Sequence, residues 1–184
     1  MQARRDQIYD ELLVIKCQQG EKAAFDELVG RWQKRFWYYA MRLTNSEAAA
    51  WDIVQETWYA VIKGIRKLED PAVFPRWAFR ILNNKCSDCL RKRQLQSRLH
   101  DKLAEQTENE SQKRQTSNDK LDSLYKAIEK LSPDRRALLM LRYNEGFDVG
   151  QIAQITETPV GTVKSRIHRA LEQLRQAVER DRNE

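Results

Sequence analysis

Basic and small polar side chains are concentrated in one stretch near the C-terminus, residues 160–175, with the sequence VGTVKSRIHRALEQLR. Its apolar residues recur every three or four positions, starting with Val163 and Ile167, as on one face of a helix. The opposite face has almost no acid and carries Thr162, Lys164, Ser165, Arg166, His168 and Arg169. Such a face suits DNA recognition, because short polar groups reach base edges and long cations reach phosphates.

A tight turn precedes this stretch. Residues 149–171, VGQIAQITETPVGTVKSRIHRAL, show the pattern helix, turn, helix, with Thr158 and Pro159 ending the turn. This is typical of a helix-turn-helix, whose second helix enters the DNA major groove. A basic, solvated helix in an ordinary bundle is the alternative interpretation. The turn, the small residues and the one-sided charge together favour DNA binding.

Other candidate chemistry is weaker. Cys86 and Cys89 form a CxxC pair within a helical pattern, and only Cys17, His100 and His168 could complete a zinc site. We therefore expect no metal and no cofactor. The sequence lacks a glycine-rich phosphate loop, a nucleophile elbow and a paired-carboxylate site. These features predict a protein that is not an enzyme and has no small-molecule substrate.

Composition agrees with a nucleic-acid partner. The 184 residues contain 33 Lys and Arg against 27 Asp and Glu, a net charge of +6. No apolar run approaches the roughly 20 residues of a membrane span, and the N-terminus does not resemble a signal peptide. Three widely separated cysteines form no disulfide framework. We expect a cytoplasmic protein.

Helical patterns run through most of the chain, which has only 6 Gly and 4 Pro and no sustained period-two alternation. They cover residues 5–19, 21–44, 46–67, 72–95, 121–131, 133–144, 148–156 and 159–180. The segment between the two groups is polar and cannot bury enough surface to order itself. The sequence predicts an all-α protein with an N-terminal helical bundle (1–95), a flexible linker (96–120) and a C-terminal helix-turn-helix domain (121–184).

A family resemblance follows from these motifs. Residues 131–175 resemble the domain of small alternative sigma factors, of the extracytoplasmic-function type, that recognises the promoter −35 element. Residues 23–44, 48–65 and 74–93 resemble, in order, helices of the family's −10-recognition domain. The resemblance implies a subunit that binds core RNA polymerase and directs promoter recognition, promoter opening and transcription initiation.

A polymerase-binding surface is implied by the segment WDIVQETW, residues 51–58. Ile53, Val54 and Trp58 can pack inward, which leaves an exposed face. That face carries Asp52, Gln55 and Glu56. By resemblance this face binds the β′ clamp of core polymerase, which the protein would contact together with the β subunit. The family more often has an acidic residue at the position of Trp51.

A −10 surface is implied by residues 74–93. The spacing predicts that Trp77 and Ile81 lie in the core, and it also indicates Phe74, leaving another face for DNA. That face carries Arg76, Arg80, Asn84, Lys85 and Asp88, followed by Arg91 and Lys92. Positive charge attracts phosphates and Asn can pair with adenine. By resemblance, the loop at 64–75 captures a flipped base of the non-template strand.

The family pattern also adds detail at the −35 side and in the linker. Arg142, Pro159 and Gly161 are further positions expected to contact promoter DNA. Glu157 stands where the family often has a glycine, and a left-handed turn there costs about 1 kcal/mol.

Acidic linker residues would mimic nucleic acid in the polymerase cleft: Asp101, Glu105, Glu108, Glu110 and Asp119.

Regulation by an inhibitor is a further expectation, since nothing in the chain covers these faces. The resemblance implies an anti-sigma factor placed between the two modules, and a membrane-bound inhibitor would hold the protein at the membrane. Two alternatives remain open. A two-domain regulator of the helix-turn-helix effector type would share the C-terminal motif, although the N-terminal half lacks a β/α or ligand-pocket pattern. A helical adaptor protein would show no promoter-dependent activity.

Overall fold

The protein is described by a computed structural model that covers residues 2–101 and 127–181. Within these two ranges all regular structure is helical. The described helices group into two compact units, one formed by the residues up to Cys89 together with Ala153–Thr158, and the other by the described residues of Leu90–Ile152 and Pro159–Glu184. None of the described helices has the length and apolarity that a membrane span requires.

Four helices form the N-terminal part of the described chain. They are α1 (Gln2–Gln18), α2 (Lys22–Thr44), α3 (Glu47–Gly64) and α4 (Phe74–Asp101). Two short 3₁₀ turns, Ile65–Lys67 and Pro71–Val73, connect α3 to α4. Helix α2 packs on both α1 and α3.

Local sequence explains where α2 ends and α3 begins. Asn45 takes a left-handed conformation (φ 50°) that this residue type tolerates, and its N–H donates to the Met41 carbonyl at 2.9 Å. Ser46 then caps α3, since its hydroxyl oxygen accepts from the Ala49 N–H at 3.4 Å. The two helices therefore reverse direction within two residues.

An aromatic cluster forms the core of the N-terminal unit. Trp32 and Phe36 of α2 pack against Phe74 and Phe79 of α4, with ring centroids 5.4 Å apart for Trp32–Phe74 and 5.3 Å for Phe36–Phe79. All four side chains are buried. Edge-on aromatic packing of this kind adds to the stabilisation from burial alone, and it ties α4 to α2.

Three helices form the C-terminal part, after a helical segment at residues 127–129. They are α5 (Pro133–Leu139), which continues into a wider π turn at Met140–Asn144, α6 (Val149–Thr156) and α7 (Val160–Asp181). Pro133 occupies the first turn of α5, where its missing N–H is not needed. Helix α5 packs against α7.

Arg136 is a buried cation in this unit, only 4% exposed. Its guanidinium donates to the main-chain carbonyls of Glu129 at 2.6 Å and Leu131 at 3.2 Å. These bonds satisfy carbonyls at the end of the preceding helical segment and fix its junction with α5.

The predicted all-α class with two helical domains is confirmed. Helix bounds also agree closely with the pattern, and the clearest difference is α4, which continues to Asp101 rather than ending at 95. Residues 102–126, with most of the predicted linker, lie outside the described residues. The proposed domain boundaries at 95 and 120 therefore stay predictions, as do the roles of the linker acids.

Candidate polymerase and promoter interfaces

The exposed face of α3 carries the three residues predicted to bind polymerase. Asp52, Gln55 and Glu56 are all exposed, whereas Ile53 and Val54 are buried. Trp58 is also buried, at 8% exposure, so the predicted division of this helix into two faces is confirmed. Two carboxylates and one amide then stand on one side of the helix, where they can accept hydrogen bonds from basic partner residues.

An ion pair joins this face to α4. The Nζ atom of Lys85 lies 2.8 Å from Oε2 of Glu56. The two residues belong to different predicted surfaces, Glu56 to the polymerase side and Lys85 to the −10 DNA side. Both side chains keep substantial contact with solvent, so the pair is an accessible link between the two surfaces and adds little to stability.

The exposed face of α4 follows the predicted stripe. Residues recur on it every three or four positions, and the whole predicted set is exposed or half-buried: Arg76, Arg80, Asn84, Lys85, Asp88, Arg91 and Lys92. A stripe with five cations and one acid attracts a phosphate backbone, while the Asn84 amide can pair with a base edge.

The buried face of α4 agrees with the prediction for Phe74 and differs from it for Trp77 and Ile81. Phe74, Phe79, Leu82 and Cys86 are buried, whereas Trp77 and Ile81 are only half-buried. The reason for Trp77 is its position over Gly64, where a Cβ would lie 2.7 Å from the indole ring. Trp77 therefore covers the end of α3 at the margin of the core instead of entering it.

The loop between α3 and α4, predicted to capture a base, is held by a residue that the sequence analysis did not identify. The Gln18 amide nitrogen donates to the carbonyls of Ile65 at 3.0 Å and Leu68 at 2.7 Å. Asp70 caps the second 3₁₀ turn by accepting from the Ala72 N–H at 2.9 Å. Because Gln18 lies about 50 residues away in sequence, no local pattern could reveal this contact.

The C-terminal motif has the local features of a helix-turn-helix. Asp148 and Gln151 form a reciprocal cap at the start of α6, each side chain accepting from the other residue's N–H at 2.8 and 2.9 Å. Glu157 takes a left-handed conformation, φ 51°, as the turn prediction requires. Helix α7 then begins directly after Pro159.

The predicted −35 residues lie at accessible positions. Pro159, Gly161, Lys164, Ser165, His168, Arg169 and Arg142 are exposed, and Thr162 and Arg166 are half-buried. The opposite side of α7 is buried through Val163, Ile167 and Ala170. The division of α7 into an apolar face and a polar, basic face is therefore confirmed over residues 163–170, whereas Leu171, which the same spacing predicts on the apolar face, is 39% exposed.

Three of these side chains also have contacts within the protein. The Ser165 hydroxyl donates to the Thr162 carbonyl at 3.0 Å, and Arg142 donates to the Phe147 carbonyl at 3.1 Å. Arg166 lies 3.9 Å from the Asp134 carboxylate. The Arg142 bond braces the turn that leads into α6, which is a structural task in addition to any DNA contact.

The CxxC pair gives no sign of a metal site. Cys86 is buried and Cys89 half-buried, and burial raises the pKa of the Cys86 thiol far above its ordinary value. The described residues contain no group of three or more side chains that could bind a metal together. Cys86 thus belongs to the buried face of α4.

Comparison with known families matches both halves of the chain. Residues 28–96 match the family model for sigma-70 region 2, and residues 121–174 match the model for sigma-70 region 4. The RNA polymerase sigma-H factor of Pseudomonas aeruginosa is 30% identical over 92% of this chain and 94% of its own length. The chain belongs to the extracytoplasmic-function sigma factors of the sigma-70 family.

Two further relatives are also sigma factors. The extracytoplasmic-function sigma-E factor of Haemophilus influenzae is 29% identical over 95% of this sigma factor and 97% of its own length. The solved sigma factor RpoE of Bartonella quintana, in complex with the anti-sigma factor NepR, is 26% identical with a TM-score of 0.68, covering 84% of this chain and 96% of that one. A sigma factor directs promoter recognition and transcription initiation by RNA polymerase, and this is the function of the chain.

Proposed function

We propose that this sigma factor binds core RNA polymerase through the acidic face of α3 and binds promoter DNA through the basic faces of α4 and α7. One observation carries the proposal. A single chain combines an exposed acidic face on one helix with exposed basic faces on two others, and each lies opposite a buried apolar side of the same helix. Exposed charge that is not needed for folding is available for partners.

On the polymerase side, Asp52 and Gln55 bind the β′ clamp. Both side chains are exposed and stand almost one helical turn apart on α3, so one partner helix can contact both. Glu56 is shared between this face and the ion pair with Lys85. The chain also contacts the β subunit when it is part of the holoenzyme.

On the −10 side, the face of α4 binds the DNA backbone and the loop before it holds an extruded base. Cations from Arg76 to Lys92 supply attraction to phosphates that does not depend on sequence. The loop at 65–73 is firmly positioned by Gln18 and Asp70, which a base-binding pocket requires.

On the −35 side, α7 enters the major groove with its N-terminal residues nearest the bases. Gly161 and Thr162 allow close approach of the helix. Lys164 binds a phosphate, and Arg169 can pair with a guanine. Arg166 and His168 complete the polar face.

A protein inhibitor is the expected regulator. The solved relative RpoE of Bartonella quintana forms a complex with the anti-sigma factor NepR. We infer that an anti-sigma factor covers residues 52–56 and 162–169 of this chain, which are the faces needed for polymerase and for DNA. The sigma factor acts in the cytoplasm without catalytic activity of its own, and a membrane-anchored inhibitor would hold it at the membrane.

In vitro transcription tests the proposal. Core polymerase from the host bacterium is supplied with a library of promoter fragments, with and without the full-length chain. We expect transcripts from a restricted set of promoters only when the chain is present, and the shared sequences of that set define the −10 and −35 elements. Binding of DNA without any chain-dependent transcript would instead indicate a regulator that does not enter polymerase.

A further inference from the structure

An open groove with aromatic walls lies between α2 and α3. Its lining residues are Gly30, Gln33, Lys34 and Trp37 of α2 and Trp51 of α3, and its volume is about 360 Å³. The two indole rings pack against each other, with centroids 6.0 Å apart and planes inclined at 40°. We refer to this feature as the tryptophan groove.

A glycine leaves the floor of this groove open. Gly30 lies inside α2, where glycine destabilises a helix relative to alanine. A Cβ built on Gly30 would meet no heavy atom within 4 Å, so close packing does not require a glycine at this position. The missing side chain therefore leaves open space at this position of the groove lining.

The walls of the groove have the character of a binding hot spot. Trp51 is 39% exposed, although a tryptophan is the residue that gains most from burial in an interface. The indole nitrogen of Trp37 is closed off from solvent and finds no acceptor among the described residues. The Trp37 ring is therefore held in the groove wall by packing against Trp51 and not by a hydrogen bond among the described residues.

The groove is continuous with the acidic face of α3. Trp51 directly precedes Asp52 and lies one helical turn before Gln55, so all three are presented along the same helix. A partner helix that lies on Asp52 and Gln55 reaches the groove without changing direction.

We propose that the tryptophan groove receives an apolar side chain of the same polymerase clamp segment that binds Asp52 and Gln55. This inference rests on the proposed polymerase-binding role of α3. The charges around the groove define the segment: Lys34 beside the groove disfavours a cation inside it, while the exposed carboxylate of Asp52 attracts a cation next to it. The segment thus carries an apolar residue flanked, about one helical turn away, by basic residues.

Filling the floor of the groove tests the inference without removing any wall. Gly30→Gln places a flexible, helix-compatible side chain in the open space, and Ala23→Gln, at an exposed position of α2 outside the groove, is the matched control. We expect Gly30→Gln to weaken binding of the full-length chain to core polymerase by about ten-fold or more. The Ala23→Gln variant should bind like the wild type, and Gly30→Gln should melt at or above the wild-type temperature.

A second variant, Trp51→Gln, removes one wall and should weaken polymerase binding to a similar extent. Wild-type affinity of both Gly30→Gln and Trp51→Gln would overturn the inference. The proposed function would survive that result if Asp52→Ala with Gln55→Ala still lost affinity, whereas failure of the wild-type chain to bind core polymerase would overturn the proposed function itself. The Gly30→Gln variant could also keep its affinity for polymerase but no longer co-purify with an inhibitor or no longer form a dimer. That result would assign the groove to the other partner and overturn the inference.

Discussion

The ammonium group of Lys85 lies 2.8 Å from the carboxylate of Glu56, which joins α4 to α3 at the border between the −10 DNA face and the polymerase face. In the proposed function Glu56 belongs to the polymerase face and Lys85 to the −10 DNA face. As a pair they neutralise each other, so a partner that draws Glu56 away would leave Lys85 available for a phosphate. We therefore predict that the two proposed binding events are connected through this exposed ion pair.

Glu56→Gln removes the negative partner of Lys85. We expect tighter binding of holoenzyme to −10 single-stranded DNA with a steeper dependence on salt, because one more cation is available for phosphates. Stability should change by no more than about 1 kcal/mol, since the pair is exposed. Fluorescence titrations at several salt concentrations, with thermal melting as control, measure both effects. An unchanged salt dependence would show that Lys85 does not contact DNA.

The double substitution Asp52→Ala with Gln55→Ala tests the polymerase face. Because both side chains are exposed and lie opposite the buried face of α3, core binding should weaken while helicity and melting temperature stay nearly unchanged. Competition with labelled wild-type chain for core polymerase gives the affinity. A double variant that competes as well as the wild type would contradict the assignment.

Lys164→Ala and Arg169→Ala should differ in their effects on promoter binding. Loss of a phosphate contact at Lys164 should weaken binding to all promoters alike and reduce the salt dependence. Loss of a guanine contact at Arg169 should cost about 1 to 3 kcal/mol at one or two −35 positions. Holoenzyme binding to a set of single-base −35 variants separates the two outcomes, and a uniform loss for Arg169→Ala would assign it to the backbone.

Gln18→Met should impair promoter opening more than promoter binding. Methionine keeps the length of the side chain but cannot donate to the carbonyls of Ile65 and Leu68, so the loop at 65–73 loses its brace. Permanganate reactivity of unpaired thymines in the −10 region reports opening. Polymerase affinity and −35 binding should remain at wild-type levels.

The neighbouring exposed residue supplies the control for this prediction. Gln19 has the same chemistry and is exposed, and its side chain has no hydrogen bond to the loop among the described residues, so Gln19→Met should open promoters like the wild type. Equal loss of opening in both variants would show that the effect comes from α1 in general and not from the Gln18 hydrogen bonds.

Periodicity and turn residues determined much of this protein without tertiary information. Apolar residues at three- and four-residue spacing placed Ile53, Val54, Val163 and Ile167 on buried faces, and their helices then had to expose Asp52 and Lys164. These are local properties, because a helix turns by a constant angle per residue. The all-α class and the helix-turn-helix followed from the same rule.

Contacts between distant residues were decided by the tertiary structure alone. The pattern in α4 suggested Trp77 and Ile81 as core residues, yet packing against α2 buried Phe79 and left Trp77 over Gly64. The Glu56–Lys85 pair, the Gln18 brace and the tryptophan groove each combine residues from different elements. Periodicity shows which side of a helix is apolar. The residues that pack against that side depend on how whole helices pack together, so they cannot be predicted from the sequence of one helix alone.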